Sequence, residues 1–496
     1  MTAFAATGRL PDPANGDPDH TGGLAAHEAA VAADLDRLCL PRKPFTAPRT
    51  GPDGKPMLDV LVIGAGQFGT GIAAALKLAG IPNFLVIDRA PAGQEGPWVT
   101  YARMPTLRSP KHLPGLCFGI PSLTFPSWCR AAKGDAYYEE MYKIPNQDWQ
   151  DYILWVREVL DIPVRNDADA VELLPEDDHV GVMLADGEVI FTKRVVVASG
   201  RAGTGGYAAL AGVSPELGPD RVAHTMHDID FSRLAGKRVA MVGVGSSAFD
   251  NAATALEAGA ASVDMFARRE VLPQLNKGRP SSVLGFLDGW MALPDADKWR
   301  LGVYLDLMAG VPPHETVQRC LKLPGMSVHF RTKFLSATPS DDGVRIEVEG
   351  GPAGDYDFLI LGTGFRVDLA HEPLFESIHS QILLWQDVYA PPPEMERPHL
   401  GVQPYIGDAF ELRSKGEDTL ERIHLFNTAT FMSAGTMAGD VPALDVAPER
   451  LVTALTQKLF VEDFEPIFQD LQDWEDEHEL ETTPFYAPDF VNKTGR

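Results

Sequence analysis

Two stretches of this 496-residue chain repeat one pattern: an apolar run, a glycine turn, a helix of small residues and a second apolar run. The first is LDVLVIGAGQFGTGIAAALKLAGIPNFLVIDR, residues 58–89; the second occupies 237–269 and contains VAMVGVGSSAFDNAATALEAGAASVDMFARR. A unit of this kind folds as strand, turn, helix and strand, and it commits the chain to an α/β architecture with parallel sheets. In GAGQFG, Gly64, Gly66 and Gly69 have the GxGxxG spacing. The first glycine permits a tight turn, the second lets backbone approach a pyrophosphate, and the third lets helix and strand pack closely. Free N–H groups and the helix dipole then hold the phosphates. The second strand ends in Asp88, where a carboxylate can accept hydrogen bonds from a ribose diol.

The second turn, GVGSSA, keeps Gly243 and Gly245 and has Ala248 at the third position. Ser246 and Ser247 offer hydroxyls to a phosphate. Its second strand ends differently, in Arg268 and Arg269. An acid there would repel a 2′-phosphate, whereas an arginine fork binds one through charge-assisted hydrogen bonds. The second unit therefore reads as a site for NADPH. The first reads as a site for an ADP-containing cofactor without that phosphate. A cofactor that carries ADP and accepts hydride from NADPH is FAD.

A formal net charge of −26 argues against nucleic acid or an anionic membrane as partner. No apolar run approaches the roughly 18 residues of a membrane span. The first residues lack a basic start followed by an apolar core, so the expected location is cytoplasmic. Cys39, Cys117, Cys129 and Cys320 form no CxxC, and His224 and His227 form no ligand set with a nearby acid or cysteine, so no metal is expected.

Along the chain, residues 1–56 read as an N-terminal arm and linker, with one helix over 24–38. Residues 57–205 form the first part of the FAD-binding domain and 206–344 the NADPH-binding domain. A helical insertion at 271–330 shapes the pocket. Residues 345–496 return to the FAD-binding domain and end in a polar tail. The expected fold is thus α/β, with two Rossmann-like dinucleotide-binding domains, the NADPH domain inserted into a discontinuous FAD domain.

The ordered motifs resemble those of the class B flavoprotein monooxygenases: the flavin-containing, Baeyer–Villiger and N-hydroxylating enzymes. GPW, with Trp98, follows the first unit as GxW does in that family. VVVASG and LILGTGF are similar to the family's two crossings between domains, and residues 223–248 resemble the signature leading into the second turn, with His224 at its histidine. Gly218 and Asp220 stand where that signature has phenylalanine and glycine, which leaves the subgroup open. The resemblance implies FAD reduction by NADPH, a C4a-(hydro)peroxyflavin, and insertion of one oxygen atom from O₂ into a small organic substrate. N- or S-oxygenation is favoured over Baeyer–Villiger oxygenation of a ketone. Two further readings are compatible with a pair of nucleotide turns. One is an NADPH-dependent flavoprotein reductase or dehydrogenase, such as a disulfide reductase; the second is a non-catalytic redox-nucleotide sensor. Arg108 and Lys111, in TLRSPKHL, are the candidate catalytic cations, stabilising negative charge near the flavin. Gly439 and Asp440, in a glycine-rich C-terminal segment, are candidates for the flavin's pyrimidine edge.

Overall fold

The computed structural model describes residues 21–276, 278–308, 310–341, 343–417, 419–474 and 479–486. The Pro-, Gly- and Asp-rich start of the expected arm, residues 1–20, lies outside them.

Helix α1 (Thr21–Arg37) precedes the first lobe and is packed onto it. The His27 ring stacks on Trp155 at 5.5 Å, and the Trp155 indole N–H donates to Glu28 at 3.2 Å. The lobe itself is built on β1 (Pro56–Ile63), helix α2 (Gln67–Leu78), β2 (Phe84–Ile87), helix α3 (Asn146–Val159), β3 (Val164–Arg165), β4 (Ala170–Pro175), β5 (Val180–Leu184) and β6 (Val189–Val197). The sheet order is β3-β2-β1-β6-β5-β4. The strands β3, β2, β1 and β6 run parallel, and β5 and β4 are antiparallel additions at one edge. VLVI in β1 and VVV in β6 are buried throughout, as expected where both sheet faces are covered.

The second lobe contains β7 (Val222–His224), β8 (Arg238–Val242), helix α4 (Ser246–Glu257), β9 (Ser262–Phe266), helix α5 (Asp295–Met308), helix α6 (His314–Leu321) and β10 (Met326–His329). An antiparallel trio follows, β11 (Lys333–Pro339), β12 (Val344–Glu349) and β13 (Gly354–Tyr356), then β14 (Phe358–Leu361). The parallel sheet runs β7-β14-β8-β9-β10. From 345 onward the sequence reading returns the chain to the first domain. The strand FLIL of β14 instead pairs on both sides within the second sheet, Val222↔Leu359 and Val239↔Phe358. Its four buried apolar residues suit a central strand equally well in either sheet, so composition does not separate the two placements.

The return is completed by β15 (Ile423–Leu425), which lies parallel to the second half of β6. With it, the first sheet has the order 3-2-1-4-5 of a doubly wound nucleotide-binding fold, and its switch point lies between β1 and β6. Helix α7 (Ala447–Glu462) packs on α2, where a Cβ on Gly71 would stand 3.2 Å from the Pro448 ring. Beyond α7, Asp463 meets a fully buried lysine. Lys193 Nζ lies 2.7 Å from Asp463 and 2.6 Å from Asp59, and donates to the Ala47 carbonyl at 2.6 Å. Arg49 adds a second cation to Asp463 at 2.8 Å.

The helical insertion crosses to the first lobe's C-terminal elements. Trp290 is buried against Gly435 and donates its indole N–H to the Met432 carbonyl at 3.2 Å. Gly302 of α5 meets the Met432 sulfur, and Trp299 packs against Trp385 at 6.2 Å.

Candidate functional site

At the end of β1, Gly64 has φ +104°, and a Cβ there would lie 2.6 Å from the Ala198 carbonyl oxygen at the end of β6. A Cβ on Gly69 would lie 1.7 Å from the Gly64 oxygen, so the helix can sit on the turn only without a side chain. Gly66 is the N-cap of α2 and has no capping side chain, which leaves the first-turn N–H groups free for an anion. Its Cα faces Gly96, where an added Cβ would reach 3.6 Å. Asp88 closes the turn: its carboxylate accepts the Ala65 N–H at 2.7 Å and the Ala90 N–H at 2.8 Å. Trp98 is buried, with its indole N–H unpartnered among the described residues.

A brace behind this turn had no motif in the sequence. Arg157 of α3 donates to Glu95 at 2.7 Å and to the Ala65 carbonyl at 2.8 Å, and Asn166 donates to the same Glu95 oxygen at 2.7 Å. Burial pushes the Glu95 carboxyl up, but Arg157 and Asn166 outweigh it and hold the group below the usual range. Only the fold brings residues 95, 157 and 166 together.

The second turn repeats the first. Gly243 has φ +115°, and a Cβ would lie 2.3 Å from the Gly362 oxygen. Ala248 fills the third-glycine position fully buried, and the contact is accommodated from the other side, where Gly362 has no Cβ to meet it. Gly245 caps α4 with no side-chain cap and nothing within 4 Å of an added Cβ. Ser247 is exposed beside it, while the Ser246 hydroxyl reaches the Val311 carbonyl at 3.5 Å. Arg268 and Arg269 are exposed just past β9, and neither pairs with a carboxylate among the described residues.

The two turns stand at the roots of the two connections between the lobes. Gly64 rests on Ala198 and Gly243 on Gly362, and these residues begin the two segments that cross between the lobes. The crossings run antiparallel side by side: Asp368 N–H donates to Thr204 at 2.8 Å, Arg366 to Gly206 at 2.9 Å and Ala208 to Gly364 at 3.0 Å. From the first lobe, Arg108 reaches Asp250 of α4 at 3.3 Å. Asp250 is almost fully buried, and burial pushes its carboxyl up against the opposing pull of Arg108. Tyr101 packs on Phe365 at 6.1 Å, and His224 stacks on Tyr207 at 4.8 Å. Burial lowers the His224 pKa to about 4, so its ring is neutral.

The structure separates the two candidate cations. Lys111 donates to the Tyr138 and Glu139 carbonyls at 2.9 and 3.0 Å, tying down the short helix Asp135–Glu140 instead of joining Arg108. Gly439 packs against Thr428, where a Cβ would lie 2.7 Å from the methyl. Asp440 pairs with Arg201 at 3.6 Å, three residues past Ala198. Neither Arg201 nor Asn427, which binds Ser199 in the first crossing at 3.2 Å, was singled out by the sequence.

A family model described as pyridine nucleotide-disulphide oxidoreductase matches residues 61–284. The chain is 37% identical over 448 residues to the FAD-dependent urate hydroxylase of Xanthomonas campestris pv. campestris, a match that covers 89% of this chain and 94% of that protein. The reduced ornithine hydroxylase PvdA of Pseudomonas aeruginosa superposes with a TM-score of 0.64 at 18% identity, over 81% of this chain and 100% of that one. The bacillithiol disulfide reductase of Staphylococcus aureus superposes at 0.53 and 16% identity, over 81% and 99%. The two structural likenesses establish a shared fold. The near full-length relative, together with the two glycine turns, establishes more: the chain belongs to the class B flavoprotein monooxygenases, a family of FAD-dependent oxidoreductases.

Proposed function

We propose that this protein is an FAD- and NADPH-dependent monooxygenase that places one atom of O₂ on a small, electron-rich nitrogen-containing substrate. The observation that supports the reading is a pair of helix starts without side-chain caps behind left-handed glycines, Gly64 rooted on Ala198 and Gly243 on Gly362, where the chain crosses between the lobes. The residues of the first turn fit FAD. The uncapped start of α2 would take its pyrophosphate, Asp88 its ribose, and the buried indole N–H of Trp98 supplies a donor that otherwise lacks a partner. Gly439 and Asp440 would border the flavin ring. Gly243, Gly245, Ser246 and Ser247 would hold the NADPH pyrophosphate, Ala248 would seat the helix, and Arg268 with Arg269 would hold the 2′-phosphate. FAD held by these residues would supply the activation of dioxygen.

Among the chain's own groups, Arg108 holds positive charge between the first lobe and α4, and such a fixed donor is worth roughly 3–4 kcal/mol to a developing anion. Lys111 acts through the fold, by fixing the helix at 135–140. Tyr101, Tyr207 and Phe365 line the crossings with aromatic surface.

Urate is the substrate in the name of the 37% identical relative, which supports an electron-rich nitrogen heterocycle as substrate here. The disulfide-reductase reading needs an accessible, low-pKa thiol. Cys117 and Cys129 are both buried, and burial pushes Cys117 up and Cys129 up to about 12. The deciding experiment is NADPH-driven O₂ uptake by the purified yellow protein. The reading requires anaerobic bleaching of the flavin by NADPH and, in air, oxygen consumption that rises with added urate. A colourless protein, or one that transfers electrons to disulfides instead of O₂, defeats it.

A further inference from the structure

We infer that this protein pairs with a second copy of itself through helix α8 (Phe464–Gln472), which follows α7 and presents an apolar stripe to solvent. Phe464, Ile467, Phe468 and Leu471 have the i, i+3, i+4, i+7 spacing of one helix face, and Trp474 continues the row just past the end. Such a row ordinarily faces a core. Here no residue of α8 is buried: Leu471 is 70% exposed, Trp474 60%, Phe464 46% and Phe468 42%. Phe460 on α7, Phe464 and Phe468 form a ladder of rings with centroids 6.3 and 5.6 Å apart, the second pair stacked. The helix starts from a fixed point, because Asp463 at its N-cap is buried between Lys193 and Arg49. The stripe is therefore held in place, with nothing laid over it among the described residues.

Charge and area select the occupant. Glu465, Asp470 and Asp473 lie off the stripe by the same helical spacing, and Asp473 is taken up by Gln469 at 2.9 Å. The stripe itself carries no charge, so it offers a charged partner nothing to pair with along its centre. A net charge of −26 turns away an anionic membrane. An uncharged stripe does match a copy of itself: a twofold axis lays the same residues against each other and leaves the acids at the rim. These apolar side chains, with Phe460, expose roughly 550 Å² per copy, so two copies would bury about 1,100 Å² before any polar rim is counted, against the roughly 1,000–1,200 Å² at which specific interfaces begin. That suffices for a dimer that forms with concentration and falls short of an obligate one.

The test is sedimentation of the full-length, FAD-loaded protein over a concentration series at low and high NaCl. The wild type is expected to pass from one protomer to two between about 1 and about 100 µM. Its Kd should fall about threefold or more between about 50 and about 500 mM NaCl, because salt screens the acids of the two copies from each other. Leu471→Glu sets two like charges on the seam and should leave a single protomer at every concentration, with flavin content unchanged. Leu471→Ser should raise the Kd about fivefold or more, while Glu465→Gln, off the stripe, should keep the dimer. A wild type that stays a protomer throughout, one that grows beyond two, or association that weakens with salt overturns the pairing. So does a dimer that persists in Leu471→Glu or an unchanged Kd in Leu471→Ser. If Leu471→Glu does not hold flavin, the wild-type series and Leu471→Ser still decide. Every readout is a mass, so none depends on the oxygenase reading.

Discussion

At the scale of the residue, the two glycine turns carry the most exacting constraints. Gly64 combines a left-handed φ with a backbone oxygen 2.6 Å from where a Cβ would sit. Gly64→Ala is expected to cost on the order of 1–3 kcal/mol in strain and to abolish stoichiometric flavin binding, measured as the flavin-to-protein absorbance ratio. Arg268 and Arg269 have no competing carboxylate among the described residues, so their charge is available to a 2′-phosphate. The double change Arg268→Ala, Arg269→Ala should raise the KM for NADPH by tenfold or more and leave that for NADH within about twofold. Equal effects on both nucleotides would remove these arginines from cofactor selection. The glycine spacing was legible in the sequence because it is set within six positions, whereas the Ala198 oxygen that Gly64 must clear lies far along the chain. Arg201 and Asp440 were not legible, since their pairing spans 239 residues and follows no spacing rule.

At the scale of the element, the strand–turn–helix units could be read directly because their periodicity and glycine positions are local properties. Helix α1 was legible too: 24–38 was expected and Thr21–Arg37 is found. The placement of β14 was not, because a buried FLIL run reports only that both faces are covered. The insertion was equally opaque. Its tryptophans find partners more than 80 residues further along, Trp290 at Met432 and Trp299 at Trp385, and it thereby joins the lobes by a route separate from the crossings. Trp290 is fully buried, so Trp290→Ala should cost about 3–5 kcal/mol. A fall in the midpoint of chemical unfolding would show it. A change confined to substrate KM, without loss of stability, would mean that the tryptophan lines a pocket and does not hold the lobes together.

At the scale of the whole molecule, acid should loosen the junction between the lobes. His224 is buried at the crossings with its pKa lowered to about 4, and burial lowers His424 beside β6 in the same sense. The unfolded chain takes up a proton near pH 6.5, whereas folded His224 does not until about 4. Stability from this group is therefore complete above about 6.5 and is lost as pH falls toward 4, by about 3 kcal/mol. Unfolding midpoints measured between pH 7 and 4.5 should show that slope, and His224→Gln should flatten it. A slope identical in the variant would assign the acid sensitivity to other groups.

Lys193 gives the buried knot under the first sheet a practical meaning. One ammonium group is shared by the carbonyl of Ala47, by the opening strand through Asp59, and by the residue just past the last long helix, Asp463. Trimming the protein to its recognisable nucleotide-binding core, by cutting before residue 57 or after 460, would strip partners from a charge that has no water to turn to. Removing one member of a buried pair costs about 3–5 kcal/mol. The flanks that look dispensable beside the glycine motifs are stitched into the same seam, and shortened versions should be recovered as aggregates without colour.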